Sequence, residues 1–232
     1  MSEHMITWEQ DADGVVTLTM DDPQARVNTM NDRYQDAMDA VLDRLEAERD
    51  GVTGVVLTSA KSTFFAGGDL DSLGRSGPED AESVFTLTQR VKNQLRRLET
   101  CGRPVVAALN GTALGGGLEI ALACHRRVAV DDPGLKVGLP EVTLGLLPGG
   151  GGITRLVRML GVERALMEWL LEGTARGARA AMEKGVIDEV VEDAADLVPA
   201  AKRWILEHRE DQDAAVKPWD VKGFRICLLY TS

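Results

Sequence analysis

Apolar and polar residues alternate over Ile6–Gln10 and again over Val15–Met20, the two-residue period of a half-buried strand. Asp11-Ala12-Asp13-Gly14 between them is turn chemistry, so the pattern predicts a hairpin. Asn31 is suited to cap a helix running to about Glu48, with Met38, Leu42 and Leu45 on one face. Gly54–Ser59 is a short continuous apolar run, a buried strand, and a glycine-containing loop follows it through residues 64–69. Over 79–99, Val84, Leu87, Val91, Leu95 and Leu98 recur at three and four and predict a long amphipathic helix. Residues 104–109 form another buried strand, Asn110-Gly111 turns the chain, and Gly115-Gly116-Gly117 leads into an apolar helix over 118–123, with a strand again at 128–130. Beyond Pro148 the pattern is helical over 153–160, 163–171 and 176–184, with a strand at 186–191 and a closing helix over 195–208. The order predicts one α/β domain of stacked ββα units, with helices gathered towards the C-terminus. Residues 1–209 form that domain on this reading, and 210–232 a linker and a non-native or disordered tail.

Length and composition narrow the function. The 232 residues suffice for one sizeable core, and 44% hydrophobic with 27% charged residues is ordinary for a globular protein. A formal net charge of −11 argues against a nucleic-acid partner, which needs a basic face to displace phosphate counterions. An anionic ligand must then be held locally, by backbone N–H groups or a few placed cations. Cys101, Cys124 and Cys227 have no CxxC spacing and suggest a reducing compartment without disulfides or zinc. No apolar run has the length of a membrane span and the first residues do not open a signal peptide, so a cytoplasmic protein is expected.

Three glycine clusters punctuate the chain: Gly67-Gly68, Gly115-Gly116-Gly117 and Gly149-Gly150-Gly151-Gly152. None fits a dinucleotide or triphosphate fingerprint. A lone cluster is most often a tight turn or a place of close packing. The first two, however, each follow a buried strand and precede a possible helix start, where free N–H groups can be aimed into a cleft. Gly68 and Gly116 are therefore candidate oxyanion-hole donors. The third cluster, Pro148 to Gly152, can start the next helix and shape the same cleft, and the structural reading is favoured for it. Glu119 lies inside the apolar helix over 118–123, where a buried carboxylate is costly unless paired or used; alternatively it faces water. Glu141, after Pro140, would on its own be a surface carboxylate. Together, two carboxyl groups and two N–H donors make up the inventory for adding water to an unsaturated acyl thioester through an enolate: a base, an acid and an oxyanion hole, with no metal.

Three motifs in order, 64–70, 110–119 and 139–152, resemble those of the enoyl-CoA hydratase/isomerase (crotonase) superfamily. Asp21-Asp22-Pro23, Asn28-Thr29-Met30-Asn31, 123–127 and Lys217-Pro218-Trp219-Asp220 are similar, more narrowly, to the hydratase domain of the multifunctional fatty-acid oxidation α subunit. The resemblance implies a crotonase fold and hydration of trans-2-enoyl-CoA in β-oxidation, with Glu119 as base toward water and Glu141 as proton donor to the α carbon. Gly68 and Gly116 would hold the thioester oxygen, and glycine at 68 is a mild departure from the family's usual alanine. Coenzyme A, part of the substrate and not a separate cofactor, would lie along Ala25, Val27, Ala66, Asp69 and Leu70. Two other functions stay open: Δ3-Δ2 enoyl-CoA isomerase, which can manage with the glutamate at 141, and a CoA-binding fragment with little activity. The resemblance also implies a trimer or hexamer, or a thiolase partner within a full-length α subunit, whose nicotinamide-dependent half does not follow here.

Overall fold

The computed structural model describes residues 5–68, 74–75 and 77–226. The chain winds in turns that each add one strand to a main sheet and a short extended piece to a second layer. The main sheet has six strands: β1 (Ile6–Gln10), β2 (Val15–Met20), β3 (Gly54–Ser59), β4 (Val105–Leu109), β6 (Arg126–Val130) and β8 (Glu189–Val191), side by side in that order. Only the β1–β2 hairpin is antiparallel; the other neighbours are parallel. β3 and β4 are buried along their whole length, which explains why they read as continuous apolar runs without alternation. The second layer is a two-stranded parallel sheet, β5 (Ala113–Leu114) with β7 (Val137–Gly138). Single bridges extend it: Met30 to Gly68, Phe65 to Ala113, and Val137 to Arg176.

Helices α1 (Asp32–Glu48), α2 (Ala81–Glu99), α3 (Gly116–Ala123) and α4 (Gly152–Leu160) follow the strand pairs, and α5 (Val162–Ala165), α6 (Ala178–Glu183) and α7 (Leu197–Glu207) complete the C-terminal part. Asn31 caps α1 as expected, its side chain accepting from the Tyr34 N–H at 2.9 Å. The core lies between the main sheet and α1–α4, with Tyr34, Phe64, Phe65 and Trp169 among its largest buried side chains. A smaller cluster packs α7, through Leu197, Ala200, Ala201 and Ile205, on Val15, Val56, Val106 and Val128 from the other face of the sheet.

Three expected elements differ. The helix over 163–171 is one α turn and then a π turn, Leu166–Leu170, whose Leu171 N–H reaches back five residues to Leu166 O. The helix expected from Arg176 starts at Ala178, because Arg176 exchanges both backbone hydrogen bonds with Val137 and belongs to the second layer. The last strand is confined to Glu189–Val191, since the N–H groups of Val186 and Ile187 turn back to Ala181 O. After residue 209, Gln212–Ala215 and Pro218–Asp220 are 3-10 turns. Lys217 between them is buried, and its Nζ donates to the carbonyls of Leu122 and Cys124 at the end of α3. Of the expected linker and tail, residues 227–232, Cys227 included, lie outside the described residues, and among those described no helix is long and apolar enough to cross a membrane.

Candidate active site

The start of α3 is the centre of the site. Leu114 N–H donates to Phe65 O and Gly115 N–H to Gly138 O, which tie the β5 end to its neighbours on both sides. Gly115 then turns with φ +53° and ψ −122°, a left-handed conformation that side chains resist, and α3 begins at Gly116. Opening the helix, the Gly116 N–H has no helical acceptor of its own. A Cβ at Gly116 would stand 3.6 Å from the Gly67 carbonyl carbon, the atom bonded to the Gly68 nitrogen. The two expected oxyanion donors therefore sit side by side. No Cβ fits at Gly117, where it would come within 2.4 Å of Phe65 O, so glycine here is what lets α3 lie against the 64–68 arm.

The same arm is pinned from the other side. Ala66 N–H donates to Asn28 O at 2.8 Å and Met30 N–H to Gly67 O at 3.0 Å, so residues 25–30 run alongside 66–68. Asn28 is fully buried; its side chain donates to Met20 O and Ser59 Oγ and accepts from Asp22 N–H. Of the residues expected to line coenzyme A, Ala25 and Val27 are half-buried in this loop and Ala66 is exposed beside it. Asp69 and Leu70 lie outside the described residues.

Glu119, in the first turn of α3, is buried and does not face water. Its Oε1 accepts the Gly152 N–H at 2.8 Å, and the Gly150 and Gly151 N–H groups also point to the carboxylate. The third glycine cluster, read from sequence as structural, thus contacts the site. Its position at the start of α4 was the available signal: a helix N-terminus offers free N–H groups to an anion. A Cβ at Gly150 would fall 2.9 Å from Glu119 Oε2, and one at Gly152 3.0 Å from Glu119 Cγ, so neither position has room for a side chain. Burial pushes the Glu119 carboxyl above the ordinary range, while these N–H groups and Arg155 pull it back.

Glu141 sits in the 3-10 turn Pro140–Leu144 and points to the start of α3, where a Cβ on Gly115 would lie 2.9 Å from its Oε1. Its Oε2 is buried with no hydrogen-bond donor among the described residues. Burial, helped by the charge of Glu119, pushes Glu141 up to about 7. The two carboxyl groups share the site in unlike surroundings. Glu119 is surrounded by donors that favour its ionised form; Glu141 has almost none and favours its protonated form. Arg155 and Glu99, absent from the sequence reading, stand behind the glycine loop. Of the histidines, His125 is apart from this chemistry: its Nδ1 accepts from Val105 N–H at 3.0 Å, and burial pushes it down to about 3.

Known proteins resemble this chain in sequence and in fold. Residues 10–218 match the model of the family described as Enoyl-CoA hydratase/isomerase. A relative from Idiomarina loihiensis, the fatty acid oxidation complex subunit alpha, is 41% identical over 186 residues, which are 80% of this chain and 26% of that protein. The chain thus spans about a quarter of that relative's length. Among solved structures, an enoyl-CoA hydratase from Bacillus anthracis superimposes with a TM-score of 0.82 at 28% identity, covering 94% of this chain and 85% of that one. An enoyl-CoA hydratase from Mycobacterium smegmatis gives 0.80 at 25%, covering 92% and 80%. The fold is the crotonase fold, and the chain belongs to the enoyl-CoA hydratase/isomerase family.

Proposed function

We propose that the chain hydrates trans-2-enoyl-CoA to 3-hydroxyacyl-CoA, a step of fatty-acid β-oxidation. The observation that carries this reading is the pairing, at one helix start, of a donor-rich buried carboxylate, Glu119, with a donor-poor carboxyl, Glu141, beside two adjacent glycine N–H groups. Ionised Glu119 takes a proton from water as the water oxygen bonds to the β carbon. The double-bond electrons move toward the thioester, whose oxygen gathers charge against the Gly68 and Gly116 N–H groups. Protonated Glu141 gives its proton to the α carbon. Water has then been added, and one proton has moved from Glu141 to Glu119, so the pair resets by returning it before the next turnover. No metal is needed for these steps. Coenzyme A would lie along Ala25, Val27 and Ala66, beside the arm that presents Gly68.

Isomerisation of a Δ3 double bond needs only a single carboxyl to shuttle a proton, and would leave Glu119 without a task. Loss of the enoyl absorbance of crotonyl-CoA separates these readings. Glu119→Gln is expected to lower hydration by roughly 10²–10⁴-fold, the weight of a general base, with little change in ligand affinity. Full-rate hydration by that variant sinks the assignment, and isomerisation surviving alone in it favours the isomerase.

A further inference from the structure

The glycine loop that supplies N–H groups to Glu119 is held from behind by a buried ion pair that the chemistry above leaves unused. Arg155 of α4 is 6% exposed and Glu99, at the end of α2, 2%. Arg155 Nε and Nη2 donate to the two carboxylate oxygens of Glu99, each at 3.1 Å. The remaining Nη1 donates to Gly150 O at 3.1 Å, and a Cβ on Gly151 would come within 2.6 Å of it, so the guanidinium lies directly against the loop. Gly150 C=O and Gly151 N–H belong to one rigid peptide plane. Holding the carbonyl toward Arg155 therefore turns the Gly151 N–H the other way, to the Glu119 side. Glu99 is oriented in turn by Arg96 Nη1 at 3.0 Å, and Arg96 is paired with Asp220 at 2.7 Å.

We propose that Arg155, oriented by Glu99, is a positioning residue for Glu119: it fixes the peptide planes of residues 150–152 so that their N–H groups keep this desolvated carboxylate ionised. The proposal rests on the reading of Glu119 as the base. An Arg is suited to the task because its planar fork binds a carboxylate with one edge and leaves a third donor for the carbonyl; a Lys keeps the charge and loses that geometry. The charged groups that bear on Glu119 are Arg155 of α4, with Glu99 of α2 behind it, and Glu141 of the 3-10 turn. Arg155 is the one that touches the loop carrying the N–H groups.

The test is the pH dependence of kcat/KM for crotonyl-CoA hydration by Arg155→Lys and Glu99→Gln, with thermal melts to confirm folding. Loss of aligned donors disfavours the carboxylate, so its pKa rises. The acidic limb is expected to move up by about one pH unit in both variants, a roughly tenfold loss on the acidic side that recovers as pH rises. A merely structural residue lowers the whole profile and leaves the limb in place; that result overturns the proposal. Should Arg155→Lys not fold, the near-isosteric Glu99→Gln decides on the same criterion. Glu119→Gln is the control that separates the two readings. If it hydrates at full rate, the assignment of the base fails; if it is inactive while both variants keep the original limb, only the positioning role fails.

Discussion

The strongest expectation for a single residue concerns Glu141. Burial and the neighbouring Glu119 raise it to about 7, and in the proposed hydration it is the acid and must carry its proton. The folded enzyme is therefore competent below about 7 and loses rate as pH rises through that value, the alkaline limb of a coupled pair. A kcat/KM profile for crotonyl-CoA that stays flat to alkaline pH sets Glu141 aside as the donor. The glycines of α3 give a sharper steric contrast. Gly116→Ala keeps the N–H and is crowded only by the flexible end of Met30, with its Cβ 3.0 Å from Met30 Cε and at ordinary contact distance, 3.6 Å, from the Gly67 carbonyl carbon. Gly117→Ala drives a methyl against Phe65 O at 2.4 Å, a backbone atom that cannot step aside. Gly116→Ala is expected to melt close to the parent, whereas Gly117→Ala loses about 1–3 kcal/mol, the usual cost of overpacking. Denaturant melts of the two variants compare them directly; equal stability contradicts the packing account.

Among the elements, α3 depends on the segment that docks at its far end. The Lys217 ammonium satisfies the Leu122 and Cys124 carbonyls, yet burial and the nearby Arg127 charge pull it down to about 7 from 10.5. Between those two values the unfolded chain binds a proton that the folded chain does not. Stability from this group therefore rises as pH climbs from about 7 toward 10.5, and the cost of keeping the charge buried is felt below about 7. Melting temperatures at pH 7 and pH 9 check this: the advantage of the parent over Lys217→Met is expected to widen at the higher pH. A gap independent of pH contradicts the buried, depressed amine. The same segment anchors α2 through the Arg96–Asp220 pair, so residues expected to be linker serve two helices that border the site.

For the molecule as a whole, the apolar residues of the C-terminal helices divide. Val157, Leu160 and Leu170 pack back on their own core, while Leu166 and Met167 of the π turn, and Leu171 just after it, stay exposed. Val142, Leu144, Leu146 and Leu147 add a second exposed apolar stretch, with Leu147 76% exposed. Surface of this kind is usually covered by a partner. Light scattering after size exclusion is expected to show an assembly above monomer mass, with Leu166→Glu and Leu171→Glu together shifting it toward monomer. A clean parent monomer at high concentration contradicts the expectation.

Periodicity and turn chemistry were enough to read the β1–β2 hairpin, the Asn31 cap, β3, β4 and the C-terminal half of the α2 face, where Val91, Leu95 and Leu98 are buried while Leu87 of the same expected face is exposed, because each is set by neighbours within a few residues. Glu119 stood out for the same reason, as a carboxylate in an apolar helix. Whether it faced water was not a local question. It was decided by α4, 33 residues away, whose first N–H meets its oxygen. The second layer is likewise tertiary: two-residue strands such as β5 and β7 have no sequence period to detect, and Arg176 leaves its helix only because Val137 is there to pair with it. Arg155 and Glu99 read as ordinary charges along amphipathic helices, and nothing in the sequence marks them as partners. Their meeting behind the glycine loop is a product of how α2 and α4 pack on α3. A charge's neighbours across space, unlike its neighbours along the chain, exist only once the core has closed.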